Sequence, residues 1–320
     1  MTVKKRDVTI DLLRAWATIS IFVTHAEVPR PYYYVRAFEV IILVFLSSMS
    51  FALSSYEFNP SSYRKYVIKR LWRIVKPLWA LLVLYFVLFI FVFHVPYTWK
   101  EILASFAMTS SGIGLVWIYR IFCTIALTMP LLKKTALEKP VWMIVLVSIL
   151  LLIANDGLYH TVLIHSKVLT LIITYTVSYT IASTLGMMNV RLNGKQRYLI
   201  GGIFLCIALA CFIVTKNPDC EAYKYPPQIY FVSYGLGMSF VLYELCSHIK
   251  NYNPIFLKVI TWISSQAMNL YLWHIIFYHL DSLGIISIPH SFIPLFTYYM
   301  VTAFVPTYLV YKLRGYLKHA

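Results

Sequence analysis

The 320-residue chain is 60% hydrophobic and only 12% charged, whereas soluble domains carry roughly 25% charged and 45–50% apolar residues. So few polar side chains exclude an ordinary soluble globular protein and predict an integral membrane protein whose partner is the lipid bilayer. The net charge of +16 does not indicate a nucleic-acid partner, because membrane proteins concentrate basic residues in their cytoplasmic loops.

Ten apolar stretches of near-spanning length follow one another, separated by short polar breaks. Continuous apolar runs are typical of transmembrane helices, whereas transmembrane strands alternate. We therefore predict an all-α, polytopic helical bundle of about ten transmembrane helices, with residues 1–320 forming a single domain and no appended soluble domain. The predicted helices cover residues 8–29, 37–56, 77–95, 113–132, 141–154, 168–188, 199–215, 228–246, 259–280 and 292–311.

Lys and Arg are distributed unequally between the two sets of connections. With the N-terminus inside, most of the 28 Lys and Arg fall in cytoplasmic segments, as the positive-inside rule requires. The run Lys4 to Arg6 precedes a first helix that we expect to remain uncleaved, since it carries Asp11 and Arg14 and no obvious small-residue cleavage site. Both termini are thus predicted to be cytoplasmic.

The first predicted helix carries Arg14 and His25 eleven positions apart. At 100° per residue their side chains return to within about 20° of one another, roughly 16 Å apart along the axis. Ionisable groups inside membrane helices usually face a polar cavity or a partner, and an imidazole titrates near neutrality, which suits proton transfer. The alternative is that Asp11 pairs with Arg14 and that His25 is an interfacial histidine.

The basic segment before the third predicted helix contains Arg70 and Arg73 three positions apart. On a helix, their guanidinium groups can converge on a phosphate of a cytosolic anionic ligand. The alternative is ordinary positive-inside charge that contacts lipid headgroups. Pro77 is expected to mark the beginning of the third helix.

Further ionisable residues inside predicted helices have no assigned role. Arg120 requires an acidic or polar partner, for which Glu244 is one candidate. His274 and His279 are five positions apart and about 140° off a shared face, whereas a helical metal site prefers a spacing of four. The sequence therefore predicts no metal site here, and either histidine could be a satisfied core residue.

Two predicted outer segments are short and rich in tyrosine. Their sequences are PYYYVR, at 31–36, and KNPDCEAYKYPP, at 216–227. The aromatic faces could stack on sugar rings, and anchoring at the membrane interface explains them equally well.

Several short motifs recur along the chain in a fixed order. They are Asp11, Leu13, Arg14 and His25 in the first predicted helix, Val44 to Ser47 in the second, Arg70 and Arg73 before the third, Trp117 followed by CTIALTMPLL in the fourth, and Tyr271 to His274 in a late YLWH segment. In order and spacing, these motifs resemble the membrane-bound acyltransferase 3 family over almost the entire chain. The chain departs from the family at two places: SSMS stands where the family often has Ser-Gly, and Arg120 stands where some relatives with attached esterase-like domains carry Glu.

The resemblance implies a bacterial cytoplasmic-membrane enzyme that transfers an acyl group, commonly acetyl from cytosolic acetyl-CoA, to a hydroxyl of a saccharide or glycolipid. His25 would be the catalytic histidine, as general base or transient acyl carrier. Arg14 would assist it and, with Arg70 and Arg73, contact the donor's phosphates and carbonyl groups. A saccharide transporter of the same family is the alternative, and the acceptor and the oligomeric state remain open.

Overall fold

The computed structural model describes residues 7–109, 111–161, 165–249 and 251–319. Lys4, Lys5, Arg6 and Lys250, which belong to the basic residues of the predicted cytoplasmic segments, lie outside the described residues. Within those ranges the chain forms helices and no extended strand, which confirms the all-α prediction. The α-helices are α1 (Val8–His25), α2 (Arg30–Val35), α3 (Glu39–Ala52), α4 (Pro60–Val87), α5 (Trp99–Phe106), α6 (Trp117–Glu138), α7 (Val141–Thr161), α8 (Lys167–Asn189), α9 (Gly194–Thr215), α10 (Ile229–Ser247), α11 (Pro254–Ser282) and α12 (Phe292–His319).

Eight helical segments of the described chain are long and apolar enough to cross a membrane. Helices α1 and α11 are not among them, because they carry polar and ionisable side chains within their apolar runs. The chain is thus an integral membrane protein, while ten crossings and cytoplasmic termini remain predictions. The eight segments are Arg30–Ala52, Pro60–Val92, Gly114–Glu138, Val141–Thr161, Val168–Asn189, Gly194–Thr215, Ile229–Ser247 and Phe292–Gly315.

The predicted start of the third helix at Pro77 is wrong, because α4 begins at Pro60 and runs through Pro77. The Asn59 side chain accepts a hydrogen bond from the Ser62 N–H at 2.7 Å, and Ser62 Oγ accepts from the Asn59 N–H at 3.0 Å. This reciprocal cap, followed by proline at the first helical position, is a strong helix start. Pro77 only removes one bond to the Arg73 carbonyl, which membrane helices tolerate.

The helices group into two compact units. The first unit comprises α1, the second half of α4, α5, α11 and α12, from segments Met1–Tyr33, Arg73–Ile118 and Tyr252–Ala320. In it α11 packs against both α1 and α12. The core between these three helices contains fully or nearly fully buried Phe22, Leu270 and Tyr299.

The second unit comprises α3, the first half of α4, most of α6 and α7 to α10, from segments Tyr34–Trp72 and Tyr119–Asn251. Helix α9 packs along α10, and α3 packs along α8. At the α3–α8 contact, a Cβ atom on Gly186 would lie 2.5 Å from the Phe45 carbonyl oxygen and 2.5 Å from Ser48 Oγ. The segment Val44 to Ser48 therefore approaches the backbone of α8 directly.

We expect Gly186→Ala to destabilise the second unit. Overpacking costs about 1–3 kcal/mol, which exceeds the about 0.5–1 kcal/mol that Ala contributes over Gly in a helix. The midpoint of thermal unfolding in detergent should therefore fall. Gly202→Ala is the matched control, because a Cβ there meets nothing within 4 Å. A Gly186→Ala midpoint at or above that of Gly202→Ala would contradict the prediction.

Candidate functional site

Helix α1 directs Arg14 and His25 toward the same neighbour, α11. Arg14 Nη1 donates a hydrogen bond of 3.2 Å to Ser264 Oγ. The His25 ring lies 5.1 Å from the ring of His274 and 4.5 Å from that of Tyr278, measured between centroids. The predicted shared face of Arg14 and His25 is thus confirmed, and this face meets α11.

A small polar network holds the Arg14 end of this predicted pair. Ser264 Oγ donates to Asp11 Oδ1 at 2.6 Å, and Arg14 Nη1 lies 3.9 Å from the same carboxylate oxygen. Asp11 is buried and the Arg14 side chain is 20% exposed. The pairing of Asp11 with Arg14, considered above as an alternative to function, therefore exists and orients the guanidinium against α11.

His25 ends α1 inside an aromatic cluster. Its imidazole is partly exposed, whereas the neighbouring His274 is completely buried. The His274 ring packs 4.7 Å from Phe22 and 4.8 Å from Tyr299. Because His25 alone of the two histidines reaches the surface of the unit, it is the imidazole that a substrate could contact and that could exchange a proton.

The two histidines of α11 differ in how their nitrogens are satisfied. His279 Nδ1 lies 2.8 Å from the Ile275 carbonyl oxygen. Neither ring nitrogen of His274 has a hydrogen-bond partner in the described ranges, and an unsatisfied buried polar group costs about 1–3 kcal/mol. His279 is therefore a histidine with a hydrogen-bond partner, as the sequence allowed for both residues, whereas His274 has none within those ranges.

Two other side chains of this cluster were missed at the sequence level. Tyr278 contacts His25, and the Tyr299 hydroxyl donates to Asp281 Oδ2 at 2.7 Å. Tyr278 follows His274 by four positions, so the helical period places both on one side of α11. This four-residue spacing in NLYLWHIIFYHL could have indicated that Tyr278 lies beside His274.

Arg70 and Arg73 lie one turn apart on α4, as the predicted helical spacing requires. Arg70 is half-buried and belongs to the second unit, and Arg73 is exposed and belongs to the first. Guanidinium groups at this spacing can reach adjacent phosphate oxygens.

The suggested partnership of Arg120 with Glu244 is wrong. Glu244 Oε2 accepts from Arg197 Nη1 at 2.7 Å, and Glu244 Oε1 lies 3.0 Å from His248 Nε2. Arg120 instead places its guanidinium carbon 4.8 Å above the centre of the Tyr175 ring. The partner of Glu244 is selected by the packing of α9 along α10, which brings Arg197 to Glu244. Spacing along the sequence does not reveal this packing.

A buried charge cluster in the second unit was also missed. Arg36 lies 2.6 Å from a carboxylate oxygen of Glu39 and 3.0 Å from one of Glu221, and Lys224 Nζ lies 2.9 Å from Glu221. Burial opposes the charge of Lys224, but Tyr225 and the carboxylates Glu39 and Glu221 outweigh it and raise the pKa of Lys224. The cluster thus brings two basic and two acidic side chains into direct contact.

Comparison with known protein families matches residues 7–312 to the acyltransferase domain of one family. The matched range contains α1, with Arg14 and His25, and α4, with Arg70 and Arg73. No match was found among curated proteins or among solved structures. Because the match spans nearly the entire chain, this integral membrane protein belongs to the acyltransferase 3 family.

Proposed function

We propose that this membrane acyltransferase moves an acetyl group from cytosolic acetyl-CoA to a hydroxyl of a cell-surface polysaccharide or of a lipid-linked saccharide. The family supports the acyl transfer. The observation that carries the proposal is the partly exposed imidazole of His25, held against His274 and Tyr278 on the family's first helix. The acetyl donor and the saccharide acceptor come from the family resemblance.

In this mechanism His25 removes the proton from the acceptor hydroxyl as that oxygen attacks the thioester carbonyl carbon. The new C–O bond forms and the C–S bond breaks. The imidazolium then returns its proton to the departing thiolate of CoA. The partly exposed position of His25 allows both partners to reach the ring.

Arg14 acts on a different part of the donor. It lies roughly 16 Å from His25 along α1, so the two side chains do not contact the same carbonyl group. Its hydrogen bond to Ser264 and its ion pair with Asp11 hold the guanidinium in place. We assign to it the carbonyl or phosphate groups along the extended arm of the donor, and we assign the phosphates also to Arg70 and Arg73.

The donor assignment is tested with purified protein, labelled acetyl-CoA and a saccharide acceptor. We expect release of free CoA thiol together with labelled saccharide. The double variant Arg70→Ala/Arg73→Ala should raise the KM for acetyl-CoA at least about tenfold with a smaller effect on kcat, because charge-assisted hydrogen bonds contribute about 1.5–3 kcal/mol.

Arg64→Ala is the matched control, since Arg64 is an exposed arginine of the same helix. An equal rise in KM for Arg64→Ala would indicate headgroup contacts for the whole basic segment. Saccharide movement across vesicles without cleavage of acetyl-CoA would replace the proposal by the transporter alternative.

A further inference from the structure

Arg120 is a cation of the second unit that pairs with no carboxylate in the described ranges. Its guanidinium stacks over Tyr175, and its Nη1 atom is buried without a hydrogen-bond partner among residues that the structure describes. In those same ranges Arg120 forms no ion pair. A partly buried cation is costly unless its buried donors are paired and hydrogen-bonded. The face of a tyrosine ring supplies no hydrogen-bond acceptor in the guanidinium plane.

The buried charge cluster of the same unit does not neutralise Arg120. Its two carboxylates, Glu39 and Glu221, are compensated by its two cations, Arg36 and Lys224. The formal charges of the cluster, two basic and two acidic, therefore balance one another, and neither of its carboxylates is left over to pair with Arg120.

Tyr179 provides a second, independent observation. Its side chain is 0% exposed, and its hydroxyl has no hydrogen-bond partner in the described part of the chain. Tyr179 follows Tyr175 by one turn of α8, with ring centroids 6.2 Å apart, and lies within electrostatic range of Arg120. Within the described residues, an unpartnered Arg120 Nη1 and an unpartnered Tyr179 hydroxyl thus belong to two side chains that both neighbour Tyr175.

These groups are surrounded by tyrosine rings and by members of the buried charge cluster, with Lys224 near Tyr175 and Glu39 near Tyr179. Tyr225 and Lys224 lie within electrostatic range of Tyr175. Tyr225 is 58% exposed, so the cluster extends from the interior of the unit to its surface. A ligand at this place would lie near a guanidinium, tyrosine hydroxyls and tyrosine rings, which suit an anionic sugar.

We propose that Arg120, Tyr175 and Tyr179 bind an anionic group, a carboxylate or a phosphate, carried by a saccharide. The oxygens of such a group can accept hydrogen bonds from Arg120 Nη1 and from the Tyr179 hydroxyl, and these bonds would satisfy both buried donors. That this saccharide is the acceptor rests on the proposed function. The binding itself does not.

The test uses the purified full-length protein without acetyl-CoA and measures binding and thermal stabilisation by glucuronate, glucose 1-phosphate and glucose. We expect a charged sugar to bind and glucose to bind at least about tenfold more weakly, since a hydrogen bond to a charged group contributes about 1.4 kcal/mol or more, which is a factor of ten. Arg120→Gln should abolish the preference for charge. Lys216→Gln, which removes an exposed cation of the same unit, should retain it.

Tyr179→Phe separates a ligand role from a structural one. Because the hydroxyl makes no hydrogen bond within the described chain, its removal should leave the thermal midpoint of the ligand-free protein unchanged or higher. The same variant should bind the charged sugar roughly tenfold more weakly. An unchanged affinity would assign Tyr179 to packing alone and overturn its place in the site.

Equal affinity for glucose and the charged sugars would overturn the proposal, and so would wild-type affinity for the charged sugars in Arg120→Gln. A third contrary result is stabilisation by phosphatidylglycerol over phosphatidylcholine with no response to sugars, because it would assign Arg120 to lipid headgroups. These outcomes are independent of acetyl transfer. Arg120-dependent sugar binding in a protein that does not cleave acetyl-CoA would sustain this site and reject the proposed function, and the converse result would do the opposite.

Discussion

Replacement of His25 by Ala is expected to reduce acetyl transfer by about 10²–10⁴-fold, the usual contribution of a general acid–base group. In the proposed reaction one imidazole both removes the acceptor's proton and returns it to the departing thiolate, and alanine can do neither. The rate of acetyl transfer to a saccharide by purified protein measures the effect. His25→Gln should show a comparable loss, because an amide occupies similar space and does not titrate near neutrality.

The control for the His25 variants is His290→Ala. His290 belongs to the same unit, is 68% exposed and lies 3.3 Å from Glu27, so its removal should leave the rate near that of the wild type. Unchanged thermal midpoints and elution as one species in detergent would show that the His25 variants are folded. A folded His25→Gln protein with the wild-type rate would contradict the role of His25.

Removal of the Arg36 side chain is expected to cause the largest loss of stability. Arg36 is 7% exposed and contacts carboxylates of both Glu39 and Glu221. Loss of one partner of a buried ion pair leaves an uncompensated charge and costs about 3–5 kcal/mol. Arg36→Met, which retains much of the apolar volume, should therefore lower the thermal midpoint in detergent strongly.

Lys134→Ala is the matched control, because Lys134 and Glu138 form a surface pair at 4.0 Å with side chains 81% and 61% exposed. Exposed pairs contribute about 0–1 kcal/mol, so the midpoint should change little. Similar midpoints for Arg36→Met and Lys134→Ala would show that the buried cluster does not hold the second unit together.

The local part of the candidate site is predictable from sequence. The register of Arg14 and His25 follows from the helical period alone, and the structure confirms it through the contacts of both residues with α11. The same holds for the helical spacing of Arg70 and Arg73. Pro77 shows the limit of local rules, since a stronger start signal lay earlier, at Asn59 and Pro60.

The sequence alone thus determined the membrane class, the all-helical fold and the faces on which Arg14 and His25 lie, because hydropathy and helical period are properties of neighbouring residues. Only the tertiary structure decided which charges far apart in the sequence pair. Arg197 meets Glu244 across 47 positions, and Arg36 meets Glu221 across 185. Such partners are selected by the packing of whole helices. For the same reason, the packing also decided that Arg120 Nη1, both ring nitrogens of His274 and the Tyr179 hydroxyl are buried without a hydrogen-bond partner within the described residues.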